Sequence, residues 1–218
     1  MRKPPTKIVL VTGGSRGVGA QVAQELASAD THVVVNYRKK LERAELIAEA
    51  IRAAGGRAST LRADISDEAQ CAAMIDSIAA RFGRLDVLIL NASVGVELGA
   101  DPGNAIRHNR DAQRRLALMA VPMMPTGGHI VFVTSHQAHF YPLKAVPKGY
   151  TAAAAGMQAG EATLHAMRPE FRRAGLHFTV VSGEKQDAAF AEAIANAASD
   201  PNPSGTVYVG GPDHLMTA

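Results

Sequence analysis

The chain is 218 residues long, 47% hydrophobic and 20% charged, with a mean hydropathy of −0.01. These values exclude a disordered chain and a membrane-embedded one, and the length suits a single domain over residues 1–218. A net charge of +3, from 23 Lys and Arg against 20 Asp and Glu, is too small and too scattered to point to nucleic acid, the densest basic run being Arg38–Lys40.

The first apolar run, Ile8–Val11, is too short for a signal-peptide core or a membrane span, so the chain is expected in the cytoplasm. It reads instead as a strand, KIVLVT, followed by six more: HVVVNY, RASTLRAD, DVLILNA, HIVFVTS, HFTVVS and TVYVGG. Between them, apolar residues recur at helical spacing over 18–29, 39–54, 67–82, 102–119, 150–174 and 186–198. Ser66 is the expected N-cap of the third helix, and Gly56 and Gly83 mark helix ends. The segment 142–149, with Pro142 and Pro147, reads as a loop. The lone cysteine, Cys71, cannot form an internal disulfide and falls in an apolar helical pattern, as a buried thiol does. Short β-branched runs alternating with helices predict an α/β fold: a doubly wound, Rossmann-type parallel sheet of seven strands with helices on both faces.

VTGGSRGVGA joins the first strand to the first helix, with Gly13, Gly17 and Gly19 spaced G-x-x-x-G-x-G. Glycine there lets the backbone turn sharply and approach a pyrophosphate, whose charge meets amide groups and the positive end of a helix. The acid that usually ends the second strand and binds the ribose of NAD is missing. Tyr37 stands in its place, Arg38 follows, and Arg16 lies in the glycine loop. Forked guanidinium groups suit a 2'-phosphate, so the expected cofactor is NADP(H) rather than NAD(H); the competing reading makes Arg38–Lys40 a solvated helix start.

With these residues in view, the chain resembles the short-chain dehydrogenase/reductase family from about Lys7 to Gly211. TGGSRGVG is similar to the family's T-G-x-x-x-G-x-G, which adds Ser15 and Val18 to the glycine loop as cofactor-binding positions. ADIS is similar to the adenine-contacting segment, through Asp64 and Ile65. LDVLILNAS resembles L-D-V-L-V-N-N-A-G, matching at Asn91 and Ala92 and departing at Leu90 and Ser93. Asn109 falls where the family keeps a water-holding asparagine, and Ser135 at its catalytic serine. The resemblance implies hydride transfer between NADP(H) and a small carbonyl or alcohol. It also implies a homodimer or homotetramer paired through the helices carrying Asn109 and AAAAGMQAG. No metal is implied.

The family's tyrosine needs a lysine one turn beyond it, because a phenol of pKa about 10 is a poor base at neutral pH without a neighbouring cation. Two registers fit here. If Tyr150 is the family tyrosine, Ala154 holds the lysine position; counting back from Gly175 instead sets Met157 there and Ala153 at the tyrosine. Both registers lose the lysine, and the second is preferred because RRAGLHF fixes the helix end. In that register Tyr150 lies about one turn before Ala153, on a side from which its ring reaches toward Ser135, and remains the expected proton donor. Lys144, Lys148, His136 and His139 are candidates to replace the cation, each with surface solvation or loop capping as the competing role. The family's Pro-Gly and threonine-bearing lid are also missing after Gly183. The expected activity is therefore a weak NADP(H)-dependent oxidoreductase with Ser135, Tyr150 and Asn109 in its site, against a non-catalytic NADP(H)-binding protein as the alternative.

Overall fold

The computed structural model describes residues 5–92, 102–184, 187–200 and 205–210. Its strands are β1 (Lys7–Val11), β2 (Thr31–Tyr37), β3 (Arg57–Arg62), β4 (Val87–Leu90), β5 (His129–Thr134), β6 (His177–Ser182) and β7 (Thr206–Tyr208). All pair in parallel in one sheet of order β3-β2-β1-β4-β5-β6-β7. The order reverses between β1 and β4, and that reversal opens a crevice beyond the strands' C-terminal ends. The helices are α1 (Gly17–Glu25), α2 (Leu41–Ala53), α3 (Glu68–Phe82), α4 (Pro102–Ala120), α5 (His136–His139), α6 (Thr151–Ala166), α7 (Arg168–Arg173) and α8 (Ala189–Ala197).

Alternate strand residues feed opposite faces. Ile8, Leu10, Leu88, Leu90 and Phe132 pack with Cys71, Ile78, Leu116 and Leu164 of α3, α4 and α6. Val9, Val11, Val33, Ile89 and Val131 pack with Val22, Ala48 and Ile194 of α1, α2 and α8. Burial on both faces is why the strands read as unbroken apolar runs. Cys71 is fully buried, and that burial raises its thiol pKa. No helix among the described residues is long and apolar enough to cross a membrane.

Several boundaries depart from expectation. Ser66 is not the cap of α3, because its hydroxyl and N–H both donate to Asp64 Oδ1, at 2.7 and 3.0 Å. Asp67 caps instead, accepting the Gln70 N–H at 3.0 Å. The single helix expected over 150–174 is two, α6 and α7, separated at Met167. Pro169 removes an N–H that a continuous helix needs, yet fits the first turn of a new one. The one-turn α5 was not foreseen, and Ser135 caps it. The expected helix start at Gln186 and strand end at Gly211 lie outside the described residues; α8 begins at Ala189, whose N–H donates to Asp187 at 2.9 Å.

Two histidines at the N-terminal ends of strands tie stability to pH. His32 bonds Ser59 at 2.9 Å and lies 4.6 Å from the Phe82 ring, and its pKa falls to about 4, first through burial and then through Arg81, Arg57 and Arg52. His129, 4.9 Å from the His177 ring, also falls to about 4, through burial and then His177 and Lys7. Between 6.5 and about 4 the unfolded chain therefore binds protons that the folded chain refuses. Stability is full above that window and lost as pH falls through it. Thermal melts at pH 7 and pH 5 should show a lower Tm at pH 5, and a His32→Gln/His129→Gln variant should show a smaller drop.

Candidate active site

The glycine turn lies at the reversal of strand order. Gly13 and Gly17 adopt φ of +63° and +54°, a region that favours glycine. Gly19 is needed for space: a Cβ there would lie 2.6 Å from the Gly13 carbonyl and would run into Asn91 Nδ2.

Beside this turn is an open cavity of about 320 Å3. Of the predicted cofactor-binding residues, it is lined by Gly13, Ser15, Arg16, Tyr37, Arg38, Asp64, Ile65 and Ala92. Gly17, Val18, Gly19 and Asn91 shape the turn behind it. Lys39, Lys40 and Arg43 line it too, exposed at the start of α2. Arg43, one turn into α2, carried no sequence signal beyond its charge. Arg16 and Lys40 are the N-caps of α1 and α2, and neither helix has a side-chain cap there. Two uncapped helix starts and five cations around one cavity suit an anion. The negative group lining it is Asp64, whose carboxylate lies 3.7 Å from the Arg38 guanidinium.

Buried polar side chains pin the turn. Thr12 Oγ1 donates to the Ile89 carbonyl at 3.0 Å and accepts the N–H groups of Asn91 and Ala92 at 2.9 and 3.0 Å. Asn91 Nδ2 donates to the Thr12 carbonyl at 2.9 Å. Asn36 Oδ1 accepts the Gly13 N–H at 3.2 Å, while its Nδ2 donates to the Ala63 carbonyl at 3.1 Å. Gln113 of α4 donates to the Ala92 carbonyl at 3.0 Å. Asn36 and Gln113 were missed in the sequence: a polar residue ending the apolar run HVVVNY was the one signal for Asn36, and Gln113, in the polar stretch NRDAQRR, had none. Ser93 lies outside the described residues.

Further along the same edge, at the end of β5, Ser135 Oγ is 3.0 Å from Tyr150 Oη. Tyr150 ends a 3-10 turn, Lys148–Tyr150, and is the N-cap of α6. Its hydroxyl also donates to Met157 Sδ at 3.7 Å. The second register's lysine position thus faces the phenol with a thioether. Ala153, at the tyrosine position, is buried.

The other candidates have different surroundings. Asn109 is 1% exposed and donates to the Ala105 carbonyl at 3.0 Å, facing α6 where a Cβ on Gly156 would lie 2.7 Å from its Nδ2. His136 Nε2 donates to the Val209 carbonyl at 2.8 Å, and in the neutral ring Nδ1 accepts from Ser182 at 2.8 Å. Lys144 lies 5.0 Å over the Phe140 ring, and Lys148 is exposed. His139 meets Glu161 at 2.7 Å.

The sheet order, with a glycine turn at its reversal, defines a Rossmann-type α/β protein. The family model of short chain dehydrogenases matches residues 7–183, and the chain belongs to that family. Versicolorin reductase 1 of Dothistroma septosporum is 34% identical over 148 residues, covering 65% of this chain and 55% of its own. The matches to the first curated relatives span only 38%, 33% and 55% of those proteins' lengths. Among solved structures, the promiscuous reductase LugOII, which catalyses keto-reduction at C1 during lugdunomycin biosynthesis, superimposes with a TM-score of 0.82 at 26% identity, covering 99% of this chain and 100% of its own. A metagenomic short-chain oxidoreductase in complex with NADP gives 0.78 at 26% identity, covering 94% and 97%.

The close approach at Gly19 is testable without a ligand. Gly19→Ala should lose about 1–3 kcal/mol in urea denaturation, the usual cost of forcing a methyl into a packed site.

Proposed function

We propose that the protein is an NADP(H)-dependent oxidoreductase that reduces a small carbonyl compound to its alcohol. The observation that carries the reading is the Ser135–Tyr150 hydroxyl pair, 3.0 Å apart, on the edge of the sheet that holds the glycine turn. Support for carbonyl reduction also comes from relatives that are named reductases, and for the cofactor from the neighbour bound to NADP.

The residues present fit NADP(H). The turn formed by Gly13, Ser15, Gly17, Val18 and Gly19 is closely packed against Asn91 and Ala92 and leaves open space at Gly17, which a Cβ would enter and which suits a pyrophosphate. Arg16 and Arg38, with Lys40 and Arg43, suit the 2'-phosphate, and Asp64 and Ile65 would take the adenine. Asn91 and Ala92 would flank the nicotinamide half. When bound, NADPH supplies the hydride for the carbonyl carbon.

The chain's own residues manage the oxygen. Ser135 holds and polarises it, and the Tyr150 O–H donates the proton that turns it into a hydroxyl. Met157 orients that O–H but supplies no charge, so the site favours protonating an oxygen over removing a proton from an alcohol. Asn109 is buried on α4 against Gly156 of α6 and orders the α4–α6 contact behind the site. Assembly as a homodimer or homotetramer belongs to the same proposal on family resemblance, since Gly156 and Gly160 already accommodate Asn109 and Gln113 of the same chain.

Fluorescence titration should show tighter binding of NADPH than of NADH, with Arg38→Ala weakening NADPH by about 10-fold, as for one lost charge-assisted phosphate contact. Equal affinity for the two would remove the role given to the cations. In assays of NADPH oxidation across ketones and aldehydes, Tyr150→Phe should lower kcat by about 100-fold or more, the usual share of a general acid. Tight NADPH binding with no turnover on any carbonyl compound would favour the non-catalytic reading.

A further inference from the structure

Ser135 and Tyr150 stand at the N-caps of two different helices, α5 and α6. Their approach therefore depends on how those helices sit against each other. α5 has four residues, one turn, and such a helix carries the cost of nucleation with no further turns to recover it. Its position must come from tertiary contacts, and its two histidines supply them. His136 reaches Ser182 and the Val209 carbonyl at the sheet edge. His139 reaches Tyr208 Oη at 2.9 Å through Nε2, and Glu161 Oε1 at 2.7 Å through Nδ1.

Glu161 lies on α6, one turn beyond Met157, and is 5% exposed. A buried carboxylate is costly, and an apolar side chain of similar volume usually stabilises a fold as well or better. The second oxygen, Oε2, has no hydrogen-bond partner among the described residues, and Oε1 lies 2.7 Å from His139 Nδ1. His165 is also near but farther, 3.4 Å from Oε1 against 2.7 Å for His139, which makes His139 the main partner. The carboxyl group thus does little for packing, yet it connects the two helices whose caps carry the hydroxyl pair.

We propose that Glu161 is a positioning residue for Ser135 and Tyr150: through His139 it holds α5 against α6, so that the two hydroxyls keep their 3.0 Å approach. The proposal rests on the reductase reading for its kinetic consequence but not for its structural one, and two readouts separate them.

Glu161→Met keeps the side-chain volume and removes the acceptor, while Glu161→Gln keeps an acceptor oxygen. With tyrosine labelled at Cζ with 13C, the four tyrosine resonances can be assigned by single Tyr→Phe variants. Glu161→Met should retain the wild-type Tm and NADPH affinity, shift the Tyr150 resonance, and lower kcat by about 10-fold or more with KM little changed, as for a misaligned reacting group. Glu161→Gln should restore both readouts. An unchanged Tyr150 resonance with kcat intact in Glu161→Met overturns the proposal. If the wild-type protein turns over no carbonyl compound, the reductase reading fails, and the resonance alone decides the positioning role. Should Glu161→Met not fold, His139→Leu breaks the same contact from α5 and must give the same pair of changes; a lowered Tm with both readouts intact would make the contact merely structural and overturn the proposal.

Discussion

The hydroxyl of Thr12 joins the two strands between which the crevice opens. It donates to the Ile89 carbonyl and accepts the N–H groups of Asn91 and Ala92, so the ends of β1 and β4 are fixed to each other just where the sheet stops pairing. Parallel strands that diverge into separate loops leave backbone groups without ladder partners, and buried ones must find others. Here side chains provide them: Thr12 and Asn91 between β1 and β4, Asn36 between β1 and the segment after β3, Gln113 from α4. The glycine turn can present amide groups to a ligand because these contacts hold its base.

That base also explains how the cavity tolerates its charge. Five cations around one space repel one another, and screening by Asp64, 3.7 Å from Arg38, covers only part of it. The side chains of Arg16, Arg38, Lys39, Lys40 and Arg43 are exposed, so water screens the repulsion and no core residue is strained by it. The same exposure leaves the cations available to an anion, and of these five only Arg38 has an ion-pair partner among the described residues to give up.

The fold was legible in the sequence because a parallel sheet covered on both faces writes itself as short apolar runs separated by helical periods, and every expected strand from KIVLVT to TVYVGG joins the sheet. Helix boundaries were less legible where local chemistry competes. Ser66 looked like a cap, but Asp64 takes its hydroxyl, and Pro169 divides a helix whose apolar period continues through it. In the site, the glycine spacing named its own turn, and Arg16 and Arg38 were readable because they flank it. Arg43 was not, since a charge on a helix start usually faces solvent. The contact of Glu161 with His139 spans two helices and 22 positions of chain, and no periodicity records such a meeting.

Tyr150 meets Ser135 from the 3-10 turn that precedes α6 rather than from within that helix. Gly156 and Gly160 let α6 approach α4 closely, and Gly156 accommodates the Asn109 amide in a space that a Cβ would take. The Tyr150 ring arrives from outside the helix, on the 3-10 turn that precedes it. A residue on that turn is held by fewer helical hydrogen bonds than one within α6, so its aim depends more on what its hydroxyl touches. The Met157 sulfur and the Ser135 oxygen provide that aim, at 3.7 and 3.0 Å, and the histidine-tethered α5 in turn fixes the oxygen. The phenol of Tyr150 is thus oriented by a hydroxyl on one side and a thioether on the other.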